Sequence, residues 1–220
     1  MTVASGTGDE VLVEASGLGC SRGGRMLFHD VDVRVREGSS LAVLGPSGSG
    51  KTTLLTCLAG LTAPDRGRVL VGGVEVTAGT PPMLATVLQG HALVSLLTAV
   101  ENVAIPLRAA GRPPATATSL ARHALADVGL GEYVDHLVEE LSGGQQQRVA
   151  IARALAGRPR VVIADEPTTE QDKATRAVVL AHLFAVVEDG GTLILATHDP
   201  AVAERCDARL QLSPPRSHED

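Results

Sequence analysis

The run Gly45-Pro46-Ser47-Gly48-Ser49-Gly50-Lys51-Thr52-Thr53 fits G-x-x-x-x-G-K-[ST] and constrains this chain more than any other stretch. An apolar strand, Ser39 to Leu44, leads into it, and a helix from Thr52 to Ala59 leaves it, the context such a loop requires. Its glycines let the backbone wrap closely round an anion, and the N–H groups at the helix start point positive partial charge into that wrap. Gly45 to Thr53 therefore reads as a cradle for nucleotide phosphates, with Lys51 reaching the β- and γ-phosphates and the Thr52 hydroxyl ligating Mg²⁺. All but two of the 19 basic side chains are arginines, and one of the two lysines sits in this loop. A compact ammonium fits a phosphate nest where a planar guanidinium does not.

Strands alternate with helices through the rest of the chain. Glu10 to Ala15 and Asp30 to Arg36 read as strands, the second placing Val31, Val33 and Val35 at period two, and Arg68 to Val76 reads as a hairpin across Gly72-Gly73. Met83 to Leu88 is a short strand ending at Gln89. Thr98 and Glu101 have capping-box spacing, a further helix is expected from about Thr118 to Val128 with Gly129 as its cap, and another runs from Ser142 to Ala156. The apolar strand Val161 to Glu166, a helix from about Asp172 to Val187 and the strand Thr192 to Ala196 complete the pattern. The fold class is α/β: a phosphate-loop core on a parallel sheet, with a small antiparallel β-subdomain beside it. Ser213 to Asp220 is polar and is expected to be disordered.

A length of 220 residues with 44 % apolar side chains supports one large domain with embedded subdomains. The net charge of −6, with one Tyr, two Phe and no Trp, excludes a nucleic-acid surface, which needs a basic stripe and stacking platforms. Cys20, Cys57 and Cys206 are odd in number and widely spaced, so they read as reduced core residues of a cytoplasmic protein. Met1 to Asp9 has no basic region followed by an apolar run, and no window offers the ~20 apolar residues of a membrane span. Membrane association, if any, comes through a partner.

Ligand chemistry in such a sheet gathers at the C-terminal ends of the strands, where Gly45, Gln89, Asp165, Glu166 and His198 all fall. Asp165 closes an apolar strand, a placement from which a carboxylate holds Mg²⁺ on the phosphates, mostly through water. Glu166 is placed as general base toward the attacking water, His198 as a hydrogen-bond donor to the γ-phosphate, and Gln89 as an oxygen donor to Mg²⁺ or water. Ser142-Gly143-Gly144-Gln145 starts a helix with a capping box, and the same glycines at a helix N-terminus could bind a second anion. One chain has one phosphate loop, so a second anion site makes sense only where two chains meet.

In this order the residues resemble the ATP-binding cassette (ABC) ATPases. Gly45 to Thr53 resembles the Walker A motif, Gln89 the Q-loop, and Leu141-Ser142-Gly143-Gly144-Gln145 the signature motif. Val161 to Glu166 resembles Walker B with its catalytic Glu, and His198 the switch His. The run Leu97 to Leu107 further resembles the subgroup serving lipoprotein-release, macrolide-export and cell-division permeases. The resemblance implies a single domain over 1–220: a β-subdomain and phosphate loop over about 10–80, a helical subdomain over about 90–145, and the rest of the core over about 146–212. It implies ATP and Mg²⁺ as cofactors, and a head-to-tail dimer, two copies of this chain, in which each signature motif clamps the γ-phosphate held by the other. It also implies an integral-membrane permease docking on the helical subdomain at the inner face of the cell membrane, with Gln89 at the hinge.

Two positions depart from the family pattern. Arg22 stands where the family stacks an aromatic on adenine, and Gln171 stands where an apolar residue precedes Asp172. A soluble ABC-type switch without a permease is the second reading. A GTPase or small-molecule kinase on the same loop is the third, disfavoured because Asn102 is the only asparagine and an N-K-x-D element is absent.

Overall fold

The computed structural model describes residues 2–4, 10–77, 79, 81, 83–88, 90, 92–169 and 172–213. Its strands are β1 (Thr2–Ala4), β2 (Val11–Arg22), β3 (Arg25–Arg36), β4 (Ser40–Leu44), β5 (Arg66–Val71), β6 (Val74–Glu75), β7 (Leu84–Val87), β8 (Val161–Asp165), β9 (Thr192–Ala196) and β10 (Ala208–Gln211). Its helices are α1 (Lys51–Leu58), α2 (Ala99–Ala109), α3 (Pro114–Asp127), α4 (Gly143–Leu155), α5 (Lys173–Glu188) and α6 (Pro200–Glu204). One sheet has the order β1-β3-β2-β5-β6, antiparallel except where β1 joins β3; the other, β10-β4-β9-β8-β7, is parallel throughout.

The parallel sheet is apolar on both faces because it lies between two cores. On β8 and β9, Val162, Ala164, Leu193 and Leu195 face the core built with α2 to α6. Their neighbours Val161, Ile163, Ile194 and Ala196 face the core shared with α1 and the antiparallel sheet. Every residue of β8 and β9 is buried, so these strands read as continuous apolar runs rather than alternating ones. Helix α1 is held between the two sheets by Leu54, Leu55 and Leu58, all fully buried. Each such leucine contributes roughly 2–3 kcal/mol of burial, which fixes the phosphate loop at the helix start.

The mixed α/β architecture and the antiparallel sheet beside the phosphate-loop core agree with expectation, with instructive differences in extent. Strands β2 and β3 extend to meet at Gly23-Gly24, both at positive φ, as a two-residue hairpin turn needs. Helix α3 starts at Pro114 rather than near Thr118, because a proline in the first turn gives up an N–H that has no helical partner there. Helix α6, strand β10 and two short 3-10 turns (Gly131–Tyr133 and Val138–Glu140) were not anticipated, nor was β1. Thr98 and Glu101 do form the capping box, and Gly129 closes α3 with its N–H on the Ala126 carbonyl at 2.9 Å. The tail from residue 214 lies outside the described residues.

All three thiols are buried. Burial, with the neighbouring Cys20 adding to it, pushes the Cys57 thiol up to about 12, and burial pushes Cys206 up to about 11. Both stay protonated and serve as core residues. Among the described residues no helix is long and apolar enough to cross a membrane.

Candidate functional site

Strand β4 delivers the chain to Gly45, which has φ 152° and is so tightly packed that a Cβ there would lie 2.6 Å from the Leu212 carbonyl oxygen and 2.6 Å from Ser49 Oγ. Gly50, at φ 94°, turns the chain into α1 against Leu27 and Phe28. A side chain at either position would push the loop open. Lys51 Nζ donates to the Gly45 carbonyl at 2.8 Å and to the Pro46 carbonyl at 3.3 Å, so the ammonium lies folded over the loop it belongs to.

Thr52 Oγ1 donates to Asp165 Oδ2 at 2.5 Å, and Asp165 is 2 % exposed. A hydroxyl and a carboxylate side by side are hard oxygen donors that suit Mg²⁺, which is commonly held by one or two carboxylates together with substrate phosphates. Among the described residues no cluster of three or more His, Cys, Asp or Glu could hold a metal without such help.

Beyond Asp165 the chain turns sharply: Glu166 has φ 48°, unusual for a non-glycine residue, and its N–H is anchored on the Ala196 carbonyl at 3.1 Å. That turn sends the Glu166 side chain away from that of Asp165 and onto His198, whose Nδ1 lies 2.8 Å from Glu166 Oε2. His198 is 73 % exposed and Glu166 19 %.

A cleft of about 530 Å³ gathers these groups, lined by the phosphate loop, Asp165, Glu166, Thr169, His198 and Leu27. Gln89 lies outside the described residues, as does Gln171. Arg22 is not among the lining residues; it stands exposed at the β2–β3 tip, Nη1 donating to the Ser21 carbonyl at 3.0 Å. Ser142, Gly143, Gly144 and Gln145 do not line the cleft of their own chain either. They open α4, with the Ser142 hydroxyl accepting from the Gln145 N–H at 3.3 Å and Gln145 Oε1 accepting from the Ser142 N–H at 2.8 Å.

Three residues of the site were missed in the sequence. Leu27 and Thr169 line the cleft, and Gln147 of α4, 5 % exposed, donates to the Pro167 carbonyl at 3.2 Å, tying α4 to the segment after Glu166. Recognising Gly23-Gly24 as a hairpin turn would have extended β3 back to Leu27; nothing in the sequence marks Gln147 apart from its neighbours Gln145 and Gln146.

Comparison with known proteins agrees with this geometry. The family model described as ABC transporter matches residues 28–169. The lipoprotein-releasing system ATP-binding protein LolD of Anaeromyxobacter dehalogenans is 43 % identical over 196 residues, covering 84 % of this chain and 82 % of its own length. The ABC transporter ATP-binding protein Rv2564 of Mycobacterium tuberculosis is 42 % identical over 188 residues, 82 % of this chain but only 57 % of that longer protein. Among solved structures, the dimeric post-hydrolysis state of the ATP-binding cassette MJ0796 with ADP and Pi superposes with TM-score 0.85 at 31 % identity, covering 93 % of this chain and 97 % of that one. The chain therefore belongs to the ABC transporter family, as one of its ATP-hydrolysing cassettes.

Proposed function

We propose that the chain is the ATPase subunit of a membrane transporter, closing as a dimer round two ATP molecules and opening after hydrolysis to drive a separate permease. One arrangement carries this reading: the ends of β4, β8 and β9 bring Lys51, Thr52, Asp165, Glu166 and His198 to a single cleft. Lys51 leaves the carbonyls of Gly45 and Pro46 for the β- and γ-phosphates, and the loop N–H groups from Gly45 to Thr53 cradle the rest. Thr52 and Asp165, with Gln89, would hold Mg²⁺, which would supply positive charge to offset that of the phosphates. Glu166 takes the proton of the attacking water, and His198 donates to the γ-phosphate. Ser142 to Gln145 cap the γ-phosphate bound by a second cassette, which gives a use to a helix start that lies outside its own chain's cleft. Arg22 lies against the base by its guanidinium plane.

Residues 1–220 work as one ABC ATPase domain, in which about 90–145 form the helical subdomain that receives the permease. Val94 and Leu96, 47 % and 74 % exposed, crown the loop leading into α2 and offer apolar contact to a cytoplasmic segment of that membrane protein. On this reading the chain works in the cytoplasm, peripheral on the inner face of the membrane.

The test is co-purification of the tagged chain from its host's membranes in mild detergent. A stoichiometric integral-membrane protein is the expected companion. Recovery of soluble protein alone, in a preparation that still hydrolyses ATP, would remove the transporter reading.

A further inference from the structure

We propose that Arg176 is a positioning residue for hydrolysis, acting on His198 through Asp199. The inference rests on the reading of His198 as a contact to the γ-phosphate.

His198 sits on a connection of three residues, 197–199, between β9 and α6. Among the described residues its ring makes one hydrogen bond, to Glu166, and at 73 % exposure no packing holds it. The Glu166 bond orients the ring, and the backbone on either side sets where the ring is delivered. On one side Thr197 is 3 % exposed and anchored at the end of β9. On the other side is Asp199, whose N–H donates to Thr197 Oγ1 at 3.0 Å and whose Oδ1 accepts from the Ala201 N–H at 2.7 Å. The other oxygen, Oδ2, is ion-paired with Arg176 Nη2. These side chains are 34 % and 22 % exposed, so the pair is shielded more than an ordinary surface pair.

Arg176 is itself well founded. It lies in the first turn of α5, where Asp172 caps the helix by accepting from the N–H groups of Ala174 and Thr175 at 2.9 and 3.0 Å, and the Arg176 N–H donates to the Asp172 carbonyl at 2.9 Å. The connection leaving β9 is thus tied twice to the chain that follows β8, once to Glu166 and once to the start of α5. Glu166–His198 joins them near the strands, and Arg176–Asp199 joins them farther out. The second link holds the loop that carries His198 at the spacing the first one needs. Without it, Asp199 keeps its cap of α6 but loses its tie to the Glu166 side of the site.

The experiment is a double-mutant cycle of Arg176→Gln and His198→Ala, read as kcat and KM for ATP. Arg176→Gln keeps most of the side-chain length and loses the charge. It is expected to lower kcat about 3- to 10-fold with KM within twofold, and to add nothing in the His198→Ala background. Arg176→Lys, which restores a cation, is expected to recover at least half of the lost rate. A wild-type kcat for Arg176→Gln, with His198→Ala slow, overturns the role of Arg176 alone. An equal loss in both backgrounds also overturns it, since the effect would not pass through His198. If His198→Ala hydrolyses at the wild-type rate, the reading of His198 falls and takes this proposal with it. Thermal melting of each variant separates loss of fold from loss of positioning.

Discussion

Thr52 Oγ1 lies 2.5 Å from Asp165 Oδ2, joining the start of α1 to the end of β8 across 113 residues of sequence. Two oxygens from distant parts of the chain meet where the β- and γ-phosphates are expected. Removing either donor, as Thr52→Ala or Asp165→Asn, should raise the Mg²⁺ concentration for half-maximal hydrolysis at least about tenfold. Titrating the ATPase rate with Mg²⁺ checks this, and an unchanged midpoint in both variants would remove these residues from the metal site.

Glu166→Gln keeps the side-chain volume and the contact with His198 while removing the proton acceptor. Hydrolysis should slow by about 100-fold or more, with ATP affinity retained. The bound nucleotide should then hold two chains together, visible as an ATP-dependent dimer by size-exclusion chromatography. A variant with wild-type turnover would show that the base lies elsewhere.

Asn102 is fully buried, accepts from the Val94 N–H at 2.8 Å and donates to the carbonyls of Val94, Leu97 and Thr98 at 3.0, 3.3 and 3.0 Å. One side chain thereby ties α2 to the loop that presents Val94 and Leu96. Asn102→Ala takes the partner from the Val94 N–H, while the carbonyls of Val94, Leu97 and Thr98 keep the backbone donors of Leu97, Val138 and residue 102, and should cost on the order of 1–2 kcal/mol, measured by urea unfolding. A loss below about 0.5 kcal/mol would mean that water replaces the amide without penalty.

Glu101 accepts from the Thr98 N–H at 2.9 Å and from its hydroxyl at 2.8 Å, and these bonds, with the Arg108 charge adding a smaller pull, hold its carboxyl below the usual glutamate range. A carboxyl depressed on folding stabilises the fold above its unfolded value of about 4.3, and that contribution fades as pH falls through the folded value. Glu101→Gln should therefore lower the melting temperature at pH 7 and converge with the parent as the solution is acidified. A constant difference across pH 3 to 7 would assign the effect to helix geometry instead of charge.

The phosphate loop, the two strand-end carboxylates and the Ser142 cap of α4 were legible because their chemistry dictates local sequence: glycine where a Cβ cannot fit, polar ends on apolar strands, serine at a helix start. What was not legible depends on residues meeting across the fold. Leu27 enters the cleft because β3 packs on Gly50, and Gln147 matters because α4 passes the segment after Glu166. The Gln147 contact leaves no mark on neighbouring residues, and Leu27 is marked only by the Gly23-Gly24 turn that extends β3. Strand β10 escaped notice for a related reason: Arg209 and Gln211 interrupt its apolar positions, and only its pairing with β4 makes it a strand.

The Leu212 carbonyl packs against Gly45, and β4 lies between β9 and β10, strands that come some 150 residues later in the chain. The ribosome therefore makes the phosphate loop early, but its walls arrive last. Contacts of such long sequence separation form late and slowly, so nucleotide capture becomes possible only when synthesis has passed residue 212. A chain stopped after Gly190 should carry the complete loop and still fail to retain ATP on a filter. ATP at cellular concentration would then act as a selective trap for finished molecules, drawing them out of the pool still open to proteases.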